Sequence, residues 1–210
     1  MKIAVLGATG GTGRHVVQQA LEQDHSVTAL VRSPDKLADL RHDRLHVVGL
    51  DVMDPAALEQ HLPGHDAVVS AIGPRESGPS TACTDSAASI VRAMGNTGVR
   101  RLVVVSAAGP YTEGDGAFTR ILVKPLLRRM LRHPFADMVR MEERIARSDV
   151  QWTVIRPPML TDKALTGTYR MSIGKNVRRG YRIARADVAH AILRVLNDQK
   201  VIGTSVGVAS

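Results

Sequence analysis

The chain opens Met1-Lys2-Ile3-Ala4-Val5-Leu6-Gly7-Ala8-Thr9-Gly10-Gly11-Thr12-Gly13-Arg14. Four apolar residues, Ile3 to Leu6, run straight into glycines at 7, 10, 11 and 13. An apolar run of this length reads as a strand buried on both faces. Residues 12–23 then carry Val16, Val17, Ala20 and Leu21 at helical spacing. Strand, glycine turn and helix in that order aim backbone N–H groups and a helix dipole at an anion. Gly7, Gly10 and Gly13 stand where a backbone turns tightly and approaches a pyrophosphate. Gly11 shares that loop, Thr9 and Thr12 add hydroxyls, and Arg14 adds a cation.

The pattern repeats outward. Strands are expected at 26–31, 45–48, 67–72, 101–106 and 152–155, with helices at 34–40, 55–61, 80–94, about 118–131, 134–147 and 185–197 and a short last strand at 204–208. Alternating strands and helices with near-continuously apolar strands predict an α/β, Rossmann-like, doubly wound parallel sheet with helices on both faces. No repeat or low-complexity linker divides the 210 residues, so one domain is expected. Residues 1–156 read as its cofactor-binding core, and 157–210 as a small C-terminal cap contributing to the substrate pocket. Such sheets bind ligands at the carboxyl ends of their strands, which directs attention to the loops.

Composition narrows the partners. The net charge of +8 suits anionic ligands, while aromatics at 3% leave few platforms for stacking bases, so no nucleic acid is expected. No stretch approaches the roughly 18 apolar residues of a membrane span. The apolar start is too short for a signal peptide and meets glycines at once. A cytoplasmic protein with no membrane partner is expected. The single cysteine, Cys83, excludes an internal disulfide, and the eight histidines show no metal-ligand spacing, so no metal is expected.

The end of the second strand discriminates between nucleotides. NAD binders place an acid there to hold the ribose 2′-OH. This chain offers Val31-Arg32-Ser33-Pro34-Asp35-Lys36. Arg32 and Ser33 suit a 2′-phosphate, so NADP(H) is expected ahead of NAD(H). Asp51 and Val52 read as a clamp on the adenine edge, and Asp51 serves equally as a turn residue. Ala71, Ile72 and Gly73 leave room for backbone beside the nicotinamide ribose.

With these pieces placed, the chain resembles the atypical short-chain dehydrogenases/reductases of the NAD(P)H-binding, NmrA-like group. Within them it is most similar to the biliverdin-IXβ reductase and NADPH-dependent flavin reductase branch. The specific motifs are Gly73-Pro74-Arg75, Ser80-Thr81, Pro157-Pro158-Met159 and Leu165-Thr166-Gly167-Thr168-Tyr169. The resemblance implies Ser106 and Arg75 as catalytic candidates, Ser106, Pro157, Pro158 and Met159 near the cofactor, and hydride transfer to flavins, biliverdin or quinones. Departures accompany it. Tyr111, Tyr169 and Tyr181 are followed four residues on by Asp115, Ile173 and Arg185, so no Tyr-x-x-x-Lys pair exists. Met159 stands where the branch has His, and Met138 where many relatives carry Lys.

Without a positioned donor, a conjugated acceptor that takes its proton from solvent is favoured over a ketone, whose developing alkoxide needs one. The expected function is therefore an NADPH-dependent reductase of a planar or anionic acceptor such as a flavin, tetrapyrrole or quinone, acting as a monomer or weak homodimer. The alternatives are a non-catalytic NADP(H)-sensing protein with a protein partner, and a pathway-specific ketoreductase or epimerase. Arg75, Pro110, Tyr111, Phe118 and Met159 are the candidate substrate-pocket residues. Residues 109–134 carry Phe118, Ile121, Leu122, Leu126 and Met130 at helical spacing between basic residues. They read as an amphipathic cover with its apolar face inward, or as a lid with Tyr111 and Phe118 as its wall.

Overall fold

The computed structural model describes residues 1–74 and 78–210. An eight-stranded sheet runs through it in the order β3-β2-β1-β4-β5-β6-β10-β8. Its strands are β1 (Lys2–Leu6), β2 (Ser26–Val31), β3 (Leu45–Gly49), β4 (Ala67–Ser70), β5 (Arg101–Val105), β6 (Gln151–Arg156), β8 (Arg170–Ile173) and β10 (Thr204–Ala209). All neighbours are parallel except β8, which pairs antiparallel with β10. A separate parallel pair joins β7 (Met159–Thr161) to β9 (Arg182–Ala184).

Alternation along β1 explains the two layers. Ile3 and Val5 pack against α1 (Gly11–Glu22) and α6 (Arg185–Leu196). Ala4 and Leu6 point the other way. There they meet the layer of α2 (Pro55–His61), α3 (Ala82–Thr97) and α5 (Arg132–Ala146). Both faces of the sheet are thereby covered, as a parallel sheet requires. Asp54 starts α2 by accepting from the Ala56 amide at 2.9 Å. Arg101 is buried at the far end of the sheet, where its guanidinium donates to the carbonyls of Val195, Leu196 and Gln151. It ties β5 to the last turn of α6 and to the start of β6.

Several expectations shift. The helix expected at 34–40 is a single 3-10 turn, Pro34–Leu37, and Ser33 precedes it without a side-chain capping bond. The segment beyond 157, expected as a cap, supplies β10, β8 and α6 to the main layers. The sequence pattern missed β7, β8 and β9, because each is only three or four residues long, too short to show a period. The largest correction concerns the arm after β5. It consists of a π-helical turn, Thr119–Val123, followed by α4 (Lys124–Met130). The expected inward stripe of Phe118, Ile121, Leu122, Leu126 and Met130 lies outside, each residue more than 60 % exposed. Lys124, expected on the solvated face, is buried, and its ammonium donates to the Ala108 and Tyr111 carbonyls. Capping those two buried carbonyls turns the apolar stripe away from the core. Burial pulls the Lys124 pKa down, and the Asp115 carboxylate at 3.4 Å opposes that shift.

Candidate functional site

In the sheet order, β1 and β4 are the strands between which the winding reverses, and a cleft of about 850 Å³ opens at their carboxyl ends. Its floor is the glycine loop. Gly7 sits at φ +76°, and a Cβ there would lie 2.7 Å from the Ala71 carbonyl carbon. Only glycine lets the end of β1 pass so close to the end of β4. A Cβ on Gly13 would strike the Gly7 carbonyl, so this residue serves close helix–strand packing. Helix α1 has no side-chain cap and no acid in its first turn. Arg14 donates the first helical bond, to the Gly10 carbonyl, so the amides of Gly11, Thr12 and Gly13 stand ahead of it. A helix start without a cap, open at Gly10 and Gly11 and buried from Thr12 on, offers these amides to an external acceptor.

The cleft gathers Gly7, Thr9, Gly10, Gly11, Thr12, Arg32, Ser33, Lys36, Val52, Ala71, Ile72 and Gly73, all of them expected there, and adds Met53. Asp35 does not line it. Among the described residues, Arg32 and Lys36 pair with no carboxylate. Arg14, expected as a donor in the cleft, is instead bound to Asp39 and to the Lys36 carbonyl. Asp51 accepts from the Met53 amide at 3.0 Å and closes a turn, leaving the cleft wall to Val52 and Met53. Arg75 lies outside the described residues.

Arg185 was not anticipated. It begins α6, lines the cleft and lies over the glycine loop, its Cδ 2.7 Å from where a Gly11 Cβ would be. Its guanidinium pairs with the exposed Asp162 at 2.5 Å. In sequence it is one more Arg at a helix start, 174 positions from the loop it covers (185 minus 11).

A second polar group lies at the ends of β5 and β6. Ser106 is buried, and its hydroxyl donates to Glu142 at 2.5 Å. Glu142, on α5, pairs with Arg156 at the end of β6, also at 2.5 Å. The Arg156 guanidinium carbon lies 3.3 Å from the centre of the Tyr111 ring. Burial pushes the Tyr111 phenol up, reinforced by the Glu142 charge and opposed by Arg156. The backbone continues the pairing beyond the strands, with the Ser106 amide on the Ile155 carbonyl and the Ala108 amide on Pro157, both at 2.8 Å. None of Ser106, Pro110, Tyr111, Phe118, Pro157, Pro158 or Met159 lines the cleft. Phe118 and Met159 are exposed, and the Pro110 carbonyl accepts from Arg128. Glu142 and Arg156 escaped the sequence reading because each is an ordinary charged residue until the fold buries it.

The stretch Leu165–Tyr169 is held by Asp187, which is fully buried and accepts from the Thr166 and Gly167 amides, each at 2.9 Å. The Tyr169 hydroxyl lies 2.7 Å from His190 Nδ1. That motif fastens the C-terminal segment onto α6.

A family model described as NAD(P)H-binding matches residues 7–199. The chain belongs to this NAD(P)H-binding family. YwnB of Bacillus subtilis is 25% identical over 199 residues, covering 92% of this chain and 91% of that protein. The photosystem II assembly factor Ycf39 of Synechocystis is 33% identical over 109 residues, covering 50% of this chain and 33% of Ycf39, so the chain spans about a third of that relative. Among solved structures, a short-chain dehydrogenase/reductase from Veillonella parvula in complex with NADP superposes with a TM-score of 0.80 at 21% identity, over 100% of this chain and 94% of that one. ChuY, an anaerobillin reductase from Escherichia coli O157:H7, gives 0.78 at 19% identity over 99% and 97%. This NAD(P)H-binding chain thus shares the Rossmann fold of NAD(P)-linked oxidoreductases. The uncapped start of α1 and the tight glycine cradle fit the pyrophosphate of such a cofactor.

Proposed function

We propose that the protein is an NADPH-dependent reductase that passes a hydride to a flat conjugated acceptor, such as a flavin, biliverdin or a quinone. The amides at the start of α1 and Arg185 would hold the pyrophosphate of the cofactor, Arg32, Ser33 and Lys36 its ribose 2′-phosphate, and Val52 and Met53 its adenine. When bound, the nicotinamide supplies the hydride.

The observation that carries the choice of acceptor is the bond from Ser106 to Glu142. The serine proton is directed into the protein, at a carboxylate that Arg156 neutralises. Ser106 is buried outside the cleft with its proton committed, so it offers no proton to an acceptor. With no Tyr-x-x-x-Lys pair in the chain, an acceptor whose reduced form is stabilised by delocalisation suits this arrangement. The solved neighbour ChuY, named as an anaerobillin reductase, is consistent with that class.

The test is a panel of FMN, FAD, biliverdin and a quinone, each assayed with NADPH and with NADH by loss of reduced-nicotinamide absorbance. Turnover with at least one acceptor, faster with NADPH, is expected. Tight NADPH binding with no turnover on any of them would overturn the reductase reading in favour of a cofactor-sensing protein.

A further inference from the structure

Among the described residues, five of the nine exposed large hydrophobics fall within thirteen positions, on the arm that follows β5: Phe118, Ile121, Leu122, Leu126 and Met130. Monomeric proteins rarely cluster exposed apolar side chains in this way without a use for them. The arm is held in this orientation. Lys124 is locked onto the Ala108 and Tyr111 carbonyls beside Asp115, and Arg128 reaches the Pro110 carbonyl. The cofactor cleft makes no use of this face.

Its charge identifies what covers it. Arg120, Arg128, Arg129 and Arg132 are exposed among the apolar residues. From residue 116 to 136 the chain has no Asp or Glu. A second copy seated face to face would set arginine against arginine, which is unfavourable. A bilayer carrying anionic headgroups offers both things the face lacks, an apolar layer for the side chains and negative charge for the rim. The net charge of +8 acts in the same direction. We propose that residues 118–132 form a docking face on which the protein lies against an anionic lipid surface. No helix of the described residues is long and apolar enough to cross a membrane, so the contact is interfacial. This departs from the expectation of no membrane partner, and it does not depend on which acceptor is reduced.

The test is co-sedimentation of the full chain with vesicles of phosphatidylcholine, alone or with added phosphatidylglycerol. Phosphatidylglycerol is expected to raise the bound fraction about tenfold or more, and added salt to reverse much of that gain. Two variants probe the two halves of the face: Ile121→Ser with Leu126→Ser and Met130→Ser, and Arg120→Glu with Arg129→Glu. All five side chains are exposed, so both variants should keep the wild-type thermal midpoint and NADPH affinity while losing vesicle binding. Absence of binding by the wild type overturns the proposal, as does binding that survives in both variants. A concentration-dependent dimer that the serine variant abolishes, without vesicle binding, would overturn it too and assign the face to a second copy.

Discussion

Arg32 is the residue on which the choice of nucleotide turns. It lines the cleft beside Ser33 and Lys36, and no described carboxylate occupies it. Arg32→Glu is expected to weaken NADPH binding by about 1.5–3 kcal/mol, roughly 10- to 150-fold, while NADH affinity changes little. Titration of both nucleotides checks this, and an unchanged ratio would remove Arg32 from the 2′-phosphate site. Gly7→Ala puts a methyl group against the Ala71 carbonyl in left-handed backbone. A loss of about 1–3 kcal/mol in stability is expected, with NADPH affinity falling alongside, measured by denaturant titration. Both positions were legible in the sequence, because a glycine turn and a strand-end Arg are local features. Arg14 was misread for the complementary reason. Its partner, Asp39, lies 25 residues away, and only the fold places them together.

At the scale of elements, α5 fastens the molecule at two points. Asp137 is fully buried and caps α3, accepting from the Cys83 amide at 2.9 Å and the Thr84 amide at 3.1 Å. Burial, with the Asp137 charge added, pushes the Cys83 thiol up to about 12. The folded state thus disfavours the thiolate relative to the unfolded chain. Stability from this group is full below the ordinary thiol value of 9.0 and declines as pH rises from there toward 12. Iodoacetamide at pH 8 should leave Cys83 unmodified until the protein unfolds, as mass spectrometry would show. Asp137→Ala should cost about 1–3 kcal/mol and speed that alkylation. One turn further on, Glu142→Gln leaves the largely buried Arg156 charge uncompensated. A destabilisation of about 3–5 kcal/mol is expected by chemical denaturation. Helical periodicity located α5 but said nothing of these two acids, since a carboxylate on a helix is usually solvated. The arm before it was read with its faces reversed. Its apolar spacing was correct, but Lys124 caps carbonyls of the β5 loop, and that contact decides which side turns inward.

For the whole molecule, cofactor binding should couple to global stability, because the cleft is shared by the ends of β1, β2 and β4 and by Arg185 of α6. At NADPH one hundred times its dissociation constant, about 2.7 kcal/mol of stabilisation is expected. For a chain of this size that corresponds to a rise of roughly 5–10 °C in Tm, readable by thermal shift. No shift at saturating nucleotide would contradict a cleft formed by both ends of the chain. The sequence by itself determined the alternating layers, the glycine cradle and the basic end of β2. These follow from periodicity, backbone sterics and residues within a few positions of one another. The tertiary structure alone decided that Arg185 lies over the glycine loop and that Ser106, Glu142 and Arg156 form one linked polar group. It also decided that the apolar stripe of the arm faces outward. Such contacts join residues far apart in the chain, and the burial that gives a charge or a hydroxyl its role exists only once the layers have packed.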